Sequence, residues 1–229
     1  AGIAVGTVMT IINLNREEPN SIKVQVAGQQ WWWEYRYDLN GDGNFAGPED
    51  ITTATELVIP AGKPVQVTTT SNDVIHSFWI PGLNGKKDAV PGLYNPLKLQ
   101  ADEPGVFRGQ CTEFCGLSHA NMRMEAVALS KEDFAKWVAN QQAPYVGPAK
   151  DSLAQQGETV FLNQCVRCHQ VNGLMRADGT PAIAAPDENV WSGAAPNLSH
   201  LMSRNTFAGA AFDLLSKKCR DEVWGAPSN

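Results

Sequence analysis

Apolar, uncharged residues run from Ala1 to Leu14 and give way to Asn15, Arg16, Glu17, Glu18 and Pro19. A bilayer-spanning helix needs about 20 apolar residues, so this stretch cannot cross alone. It reads as the outer end of a membrane helix that begins upstream; a buried strand or helix is the alternative. No basic region precedes it and no cleavage pattern closes it, which argues against a signal peptide. From Ile22 to Leu129 the pattern changes to strands. Ile22, Val24 and Val26 alternate with polar residues, as do Val65 and Val67 among threonines, which is the period of a half-buried strand. Turn residues recur between the runs, at Pro60-Ala61-Gly62, Pro81-Gly82 and Pro91-Gly92, and predict an all-β sandwich or barrel. Ser130 then caps a helix that carries Phe134, Trp137 and Val138 on one face. Residues 141–150 read as a linker, Ser152 to Gln164 as a helix, and the remainder as Gly-, Pro- and Asn-rich with short helical pieces. The expected organisation is a membrane-helix end (1–16), a β domain (17–140), a linker (141–150) and a mainly α domain (151–229).

Composition narrows the function. The 229 residues carry a formal charge of −6, with sixteen acidic against eleven basic residues up to position 145. Binding nucleic acid needs a basic face, and none is visible. A basic protein partner suits such a surface better.

Chemistry concentrates in two cysteine clusters. The first is Cys111-Thr112-Glu113-Phe114-Cys115-Gly116-Leu117-Ser118-His119-Ala120-Asn121-Met122, with a further imidazole at His76. A disulfide, a structural zinc site or an unrelated core methionine would each account for part of it. Two thiolates, an imidazole and a thioether share one loop; thiolate and thioether are soft ligands that select copper, and the nearby methionine argues against zinc, which prefers Cys, His and carboxylate.

In this loop the chain resembles subunit II of the haem–copper cytochrome oxidases, a similarity that covers about residues 1–140. The segment Gly28-Gln29-Gln30-Trp31-Trp32-Trp33-Glu34-Tyr35 looks like that family's aromatic segment, departing from it at Gln29 and Trp32, and Asp88-Ala89-Val90-Pro91-Gly92 is also similar. The resemblance implies a cupredoxin-like Greek-key barrel with a dinuclear copper A centre. By position, Cys111 and Cys115 would bridge the coppers. His76 and Met122 would complete one, and His119 with the backbone carbonyl of Glu113 the other. The Glu113 side chain would also reach a magnesium ion shared with subunit I. Two thiolates shared by two coppers spread the charge of one electron, which suits electron transfer and leaves no open position for a substrate.

The second cluster, Cys165-Val166-Arg167-Cys168-His169, has the C-x-x-C-H spacing of haem c attachment, with His169 as the proximal iron ligand. A redox-active cysteine pair is the alternative. Gly157 and Phe161 precede it as in the first helix of class I cytochromes c, and Pro196 stands where that family has a proline carbonyl facing the proximal imidazole. This similarity covers about residues 150–205. The family's closing helix and later methionine ligand are not recognisable, Met175 and Met202 lie too close to match, and the sixth ligand is unassigned. The haem domain is therefore expected to continue past Asn229 and supply that ligand; His200 and Met202 are the residues to test otherwise. Cys219 is expected to be an inert buried thiol.

One weaker pattern, Asp38, Asn40, Asp42 and Glu49, satisfies the calcium-loop spacing. It follows a strand, and turn chemistry explains the same residues.

Together the modules resemble the caa-type oxidases. They imply an electron-input subunit on the extracytoplasmic side of the membrane, passing electrons from an upstream donor through haem c and copper A to subunit I and its partner subunits, which reduce oxygen. A free haem–copper shuttle and a nitrous oxide reductase are the alternatives; the latter would need a large histidine-rich domain, and this chain has four histidines. Trp31 matches the residue through which the family accepts electrons. Since neighbours on a strand face opposite sides, at least one of Trp32 and Trp33 is expected only to pack.

Overall fold

A computed structural model describes residues 2–19, 21–47, 49–183, 193–214 and 216. The first apolar run forms helix α1 (Gly2–Asn15), with Ile3, Val5, Val8, Met9, Ile11, Ile12 and Leu14 exposed along it. Among the described residues, no helix is long and apolar enough to cross a membrane.

The strand-patterned region folds as two sheets. The larger has five strands in the order β3 (Ile51–Ala54), β2 (Trp32–Asp38), β1 (Ile22–Gln29), β5 (Val65–Ser71), β8 (Asn95–Leu99). The second has the order β4 (Glu56–Pro60), β10 (Arg123–Leu129), β9 (Gly105–Gln110). A short hairpin of β6 (His76–Phe78) and β7 (Lys87–Ala89) completes the set. Most pairs are antiparallel. β1 with β5 and β4 with β10 are parallel, so these partners are joined by long connections rather than turns.

The predicted alternation holds where one face is wet: Val24, Val26, Val65 and Val67 all point into the core. It fails in β4, buried at all five positions, and in β10, buried at all but Arg123, because both faces of these strands are covered. The core between the sheets is aromatic at one end, where Trp33 packs edge-on against Phe78 at 5.2 Å and against His76 at 5.8 Å. Helix α2 (Lys131–Gln141) closes the other end. The Ser130 hydroxyl accepts from the Asp133 amide at 3.1 Å, and Trp137 lies 5.2 Å from Tyr37.

By compactness the described chain forms two units: residues up to Val138 together with those from Met202 onward, and Ala139–Leu201. By compactness alone the segment after Met202 groups with the first unit. It carries the small hairpin β11 (Thr206–Phe207) and β12 (Phe212–Asp213). The Asn205 amide donates to Glu56 Oε2 at 2.7 Å, and the Arg123 amide to the Gly209 carbonyl at 3.0 Å. The second unit holds helix α3 (Leu153–Val160), capped by Ser152, whose hydroxyl accepts from the Gln155 amide at 3.1 Å. A wider helical turn, Phe161–Cys165, leads into the second cysteine cluster.

Candidate metal centre and haem attachment site

The first cluster is a loop between β9 and β10. Its base is pinned by the Cys111 amide donating to the Met122 carbonyl at 2.9 Å and the Thr112 amide to the Ser77 carbonyl at 3.0 Å. A 3-10 turn, His119–Asn121, folds its far end back. His76 enters from β6. Opposite it lies Gly28, where a Cβ would stand 2.6 Å from the ring, so only glycine leaves room for the imidazole.

Candidate donor atoms, three of them sulfur, line up here in one string. Cys111 Sγ lies 3.9 Å from His76 Nδ1, 3.9 Å from Cys115 Sγ and 3.2 Å from the Glu113 carbonyl. Cys115 Sγ lies 3.4 Å from His119 Nδ1 and 3.7 Å from Met122 Sδ. Four-coordinate metals with bonds of about 2.0–2.3 Å keep neighbouring ligand atoms roughly 3.3–3.8 Å apart, and the observed 3.2–3.9 Å is close to that spacing. The sulfur–sulfur separation is far beyond the roughly 2 Å of a disulfide, and both thiols are free. Among the described residues, His76, Cys111 and Cys115 are the group of His, Cys and acidic side chains whose ligand atoms converge.

Electrostatics agree with a cation at this place. Two thiols this close do not both ionise unless positive charge lies between them. Burial raises both, but hydrogen bonds from His76 and the Ser77 backbone bring Cys111 down to about 7. Burial and the neighbouring Cys111 charge push Cys115 up to about 12. His76 is fully buried. Burial disfavours its cation, yet the hydrogen bond to Asp73 outweighs this and holds its pKa above the ordinary value. Asp73 Oδ1 lies 2.8 Å from His76 Nε2. A carboxylate only accepts, so Nε2 carries a proton; Nδ1 faces Cys111, donating to its thiolate when the ring is charged and offering a lone pair when the ring is neutral.

The aromatic segment meets the loop from outside. Trp31 Nε1 and Gln30 Nε2 donate to the Cys115 carbonyl at 3.0 and 2.8 Å. Trp32 and Trp33 are both buried, whereas Trp31 is half-exposed. Around the loop Phe114 is 77% exposed and Leu117 fully so. Glu113 is exposed as well.

The second cluster is held by the His169 amide donating to the Cys165 carbonyl at 2.9 Å. His169 Nδ1 donates to the Pro196 carbonyl at 2.7 Å, which leaves the Nε2 lone pair of the neutral ring available to a metal. Backbone bonds from Ala195 to the Cys168 carbonyl and from Leu198 to the Gln170 carbonyl carry Pro196 to that position. Cys165 and Cys168 are free, half-buried thiols. Among the described residues, protein atoms alone give this unit a core of Val166, Leu174 and Ala182, with Phe161, Leu162 and Val171 against it. So slight a core fits a fold assembled around a large apolar group. Gly157 is exposed, Met175 is half-exposed, and Met202 is 69% exposed in a segment that groups with the first unit. His200 adopts φ +51°. Cys219 lies outside the described residues.

In the acidic loop, Asp38 accepts from the amides of Gly41 and Gly43 at 2.6 and 2.9 Å, and Asn40 and Asp42 cap the amides two residues on. Asn40 Nδ2 also donates to Asp42 and to Glu49.

Two known families match these two regions. That described as Cytochrome C oxidase subunit II, periplasmic domain, matches residues 22–129, and Cytochrome c matches residues 154–223. The chain carries the periplasmic domain of the cytochrome c oxidase subunit II family. It joins this subunit II domain to a cytochrome c domain. It is similar to the Cytochrome c oxidase subunit 2 of Alkalihalophilus pseudofirmus, 40% identical over 70% of this chain and 44% of that protein. The Cytochrome c oxidase subunit 2 of Bacillus sp. strain PS3 is 33% identical over 90% of this chain and 56% of that protein. The chain thus spans about half the length of these relatives. Among solved structures, the periplasmic domain of subunit II of cytochrome oxidase from Bradyrhizobium japonicum is 28% identical, with a TM-score of 0.50, over 56% of this chain and 97% of that one. The subunit II domain is thus cupredoxin-like. Family membership implies a copper centre in the first domain and haem in the second, and the donor sets fit both.

Sequence reasoning gave no part to Gln30 or Asp73. Asp73, three residues before His76, was legible as a histidine-orienting carboxylate; the Gln30 contact spans the fold and leaves no local signal.

Proposed function

We propose that the chain is the electron-input subunit of a membrane-bound haem–copper terminal oxidase, passing electrons from an upstream donor through haem c and copper A to the oxygen-reducing subunit I. The observation that carries this reading is the string of candidate donors at 3.4–3.9 Å in a subunit II domain, on one chain with a C-x-x-C-H site. Cys111, Cys115, His76, His119, Met122 and the Glu113 carbonyl would hold the copper pair. Cys165 and Cys168 would hold haem covalently and His169 would bind its iron. When bound, the copper pair supplies one-electron chemistry with little reorganisation, because the charge is shared.

The protein's own residues supply the rest. Asp73 fixes the His76 tautomer, the buried thiols and thioether exclude water, and the β scaffold holds the donor atoms. Trp31 joins the surface to the Cys115 carbonyl through its indole N–H, which suits it to couple haem and copper without binding either. The Glu113 side chain, facing outward, is assigned to magnesium at the boundary with subunit I. The apolar residues exposed all round α1 support a membrane anchor, since water does not favour such a surface. The Asp38–Glu49 loop is read as a self-capped turn, supported by the amide bonds of Asp38; calcium titration tests the other reading.

Purification of the native complex tests the proposal. A haem–copper subunit I is expected with this chain, along with two coppers and one haem that resists acid acetone. Zinc in place of copper, an extractable haem or a chain that purifies alone would overturn it.

A further inference from the structure

Gln30 lies in the turn between β1 and β2 and meets the copper site from two sides. Its backbone N–H donates to Asp73 Oδ2 at 2.7 Å, and the other oxygen of that carboxylate holds His76 Nε2 at 2.8 Å. Its side-chain Nε2 donates to the Cys115 carbonyl at 2.8 Å. One residue therefore ties β6, which carries His76, to the loop that carries Cys115. The loop is shaped for this contact. Gly116 has φ +112°, and a Cβ there would stand 3.0 Å from Gln30 Nε2 and 3.3 Å from the Trp31 ring. A larger residue would lift the Cys115 peptide off both donors.

We propose that Gln30 is a positioning residue of the copper centre, holding the Cys115 peptide and, through Asp73, the His76 ring in one frame. This rests on the copper reading above. Donors aimed at the carbonyl of a sulfur-bearing residue favour added negative charge beside it. Gln30 should thus favour the reduced centre as well as the geometry of its ligands.

The test is Gln30→Met in the full chain. Methionine fills nearly the same volume and keeps the backbone N–H, but it cannot donate, so a role in packing alone would leave the copper properties unmoved. Copper affinity, read by chelator competition, is expected to fall about 10–100-fold, the usual effect of losing an outer-shell partner. The midpoint potential is expected to fall and the copper absorption bands to shift, with the haem spectrum unchanged. Wild-type affinity, potential and bands in Gln30→Met would overturn the proposal. Failure of the wild-type chain to take up copper would instead overturn the copper reading. If circular dichroism shows Gln30→Met unfolded, Gln30→Asn, whose amide stops one carbon short of Cys115, is judged by the same criteria.

Discussion

At the scale of single residues, two contacts decide what the copper site tolerates. Gly28 faces the buried His76 ring with no space for a methyl group. The ring cannot retreat, because Asp73 holds one side and Trp33 packs on it. Gly28→Ala is therefore expected to destabilise the subunit II domain by about 1–3 kcal/mol, the usual cost of overpacking, and to weaken copper binding. Thermal melting of the metal-free protein and a copper titration check both effects. Trp31 is different, being half-exposed and joined to the site by one hydrogen bond. Trp31→Phe is expected to cost about 1 kcal/mol of stability. It should leave both optical spectra in place and slow haem-to-copper transfer strongly. Flash-initiated transfer at the wild-type rate would make Trp31 a packing residue only.

Between elements, the informative pair is β4 with β10. Glu56 and Glu125 stand opposite each other in this parallel ladder, both buried. Arg108 Nε donates to Glu125 at 3.0 Å. Burial raises Glu56 to about 7, assisted by the charge of Glu125 and opposed by the Asn205 amide and Arg204. Even brought down to about 10 by burial, Arg204 remains a cation at neutral pH. The pKa of Glu56 is raised on folding, so its favourable contribution is complete below about pH 4.5 and is lost as pH rises through about 7. Stability of the subunit II domain is expected to drop by up to roughly 3 kcal/mol across that window, at 1.36 kcal/mol per unit. Glu56→Gln should flatten the slope, as denaturant melts at pH 5 and 8 would register. Nothing in the sequence announced this pair. The alternation of Val24, Val26, Val65 and Val67 was readable because one face of those strands is covered and the other is not. β4 and β10 are covered on both faces, and which strand pairs with which depends on contacts distant in sequence. The candidate donor set was legible for the opposite reason: cysteine, histidine and methionine at such spacing are rare enough to carry meaning without a partner in view. Glutamine and aspartate are not.

Across the whole molecule, the chain passes from the first unit to the second after Val138 and returns at Met202. The stretch 141–150 is largely exposed, which makes it the expected site of limited proteolysis. A cut there should not release two particles. The downstream fragment keeps its Asn205–Glu56 and Gly209–Arg123 bonds to the subunit II domain. We expect one peak on native gel filtration and two bands on a denaturing gel, with haem staining in the downstream fragment that contains Cys165. Two native peaks would mean that the returning segment does not hold.

The parallel pairing of β4 with β10 also has a meaning in time. A ribosome makes Glu56 long before Arg123, and strand pairs so far apart in sequence close slowly. The loop from Cys111 to Met122 immediately precedes the last strand of its sheet. Until residue 129 has been made and docked, β9, whose ladder partner is β10, is not fixed in the sheet and the loop that follows it is not held. Copper delivery thus belongs after synthesis of the whole β region, as a step of maturation rather than of translation.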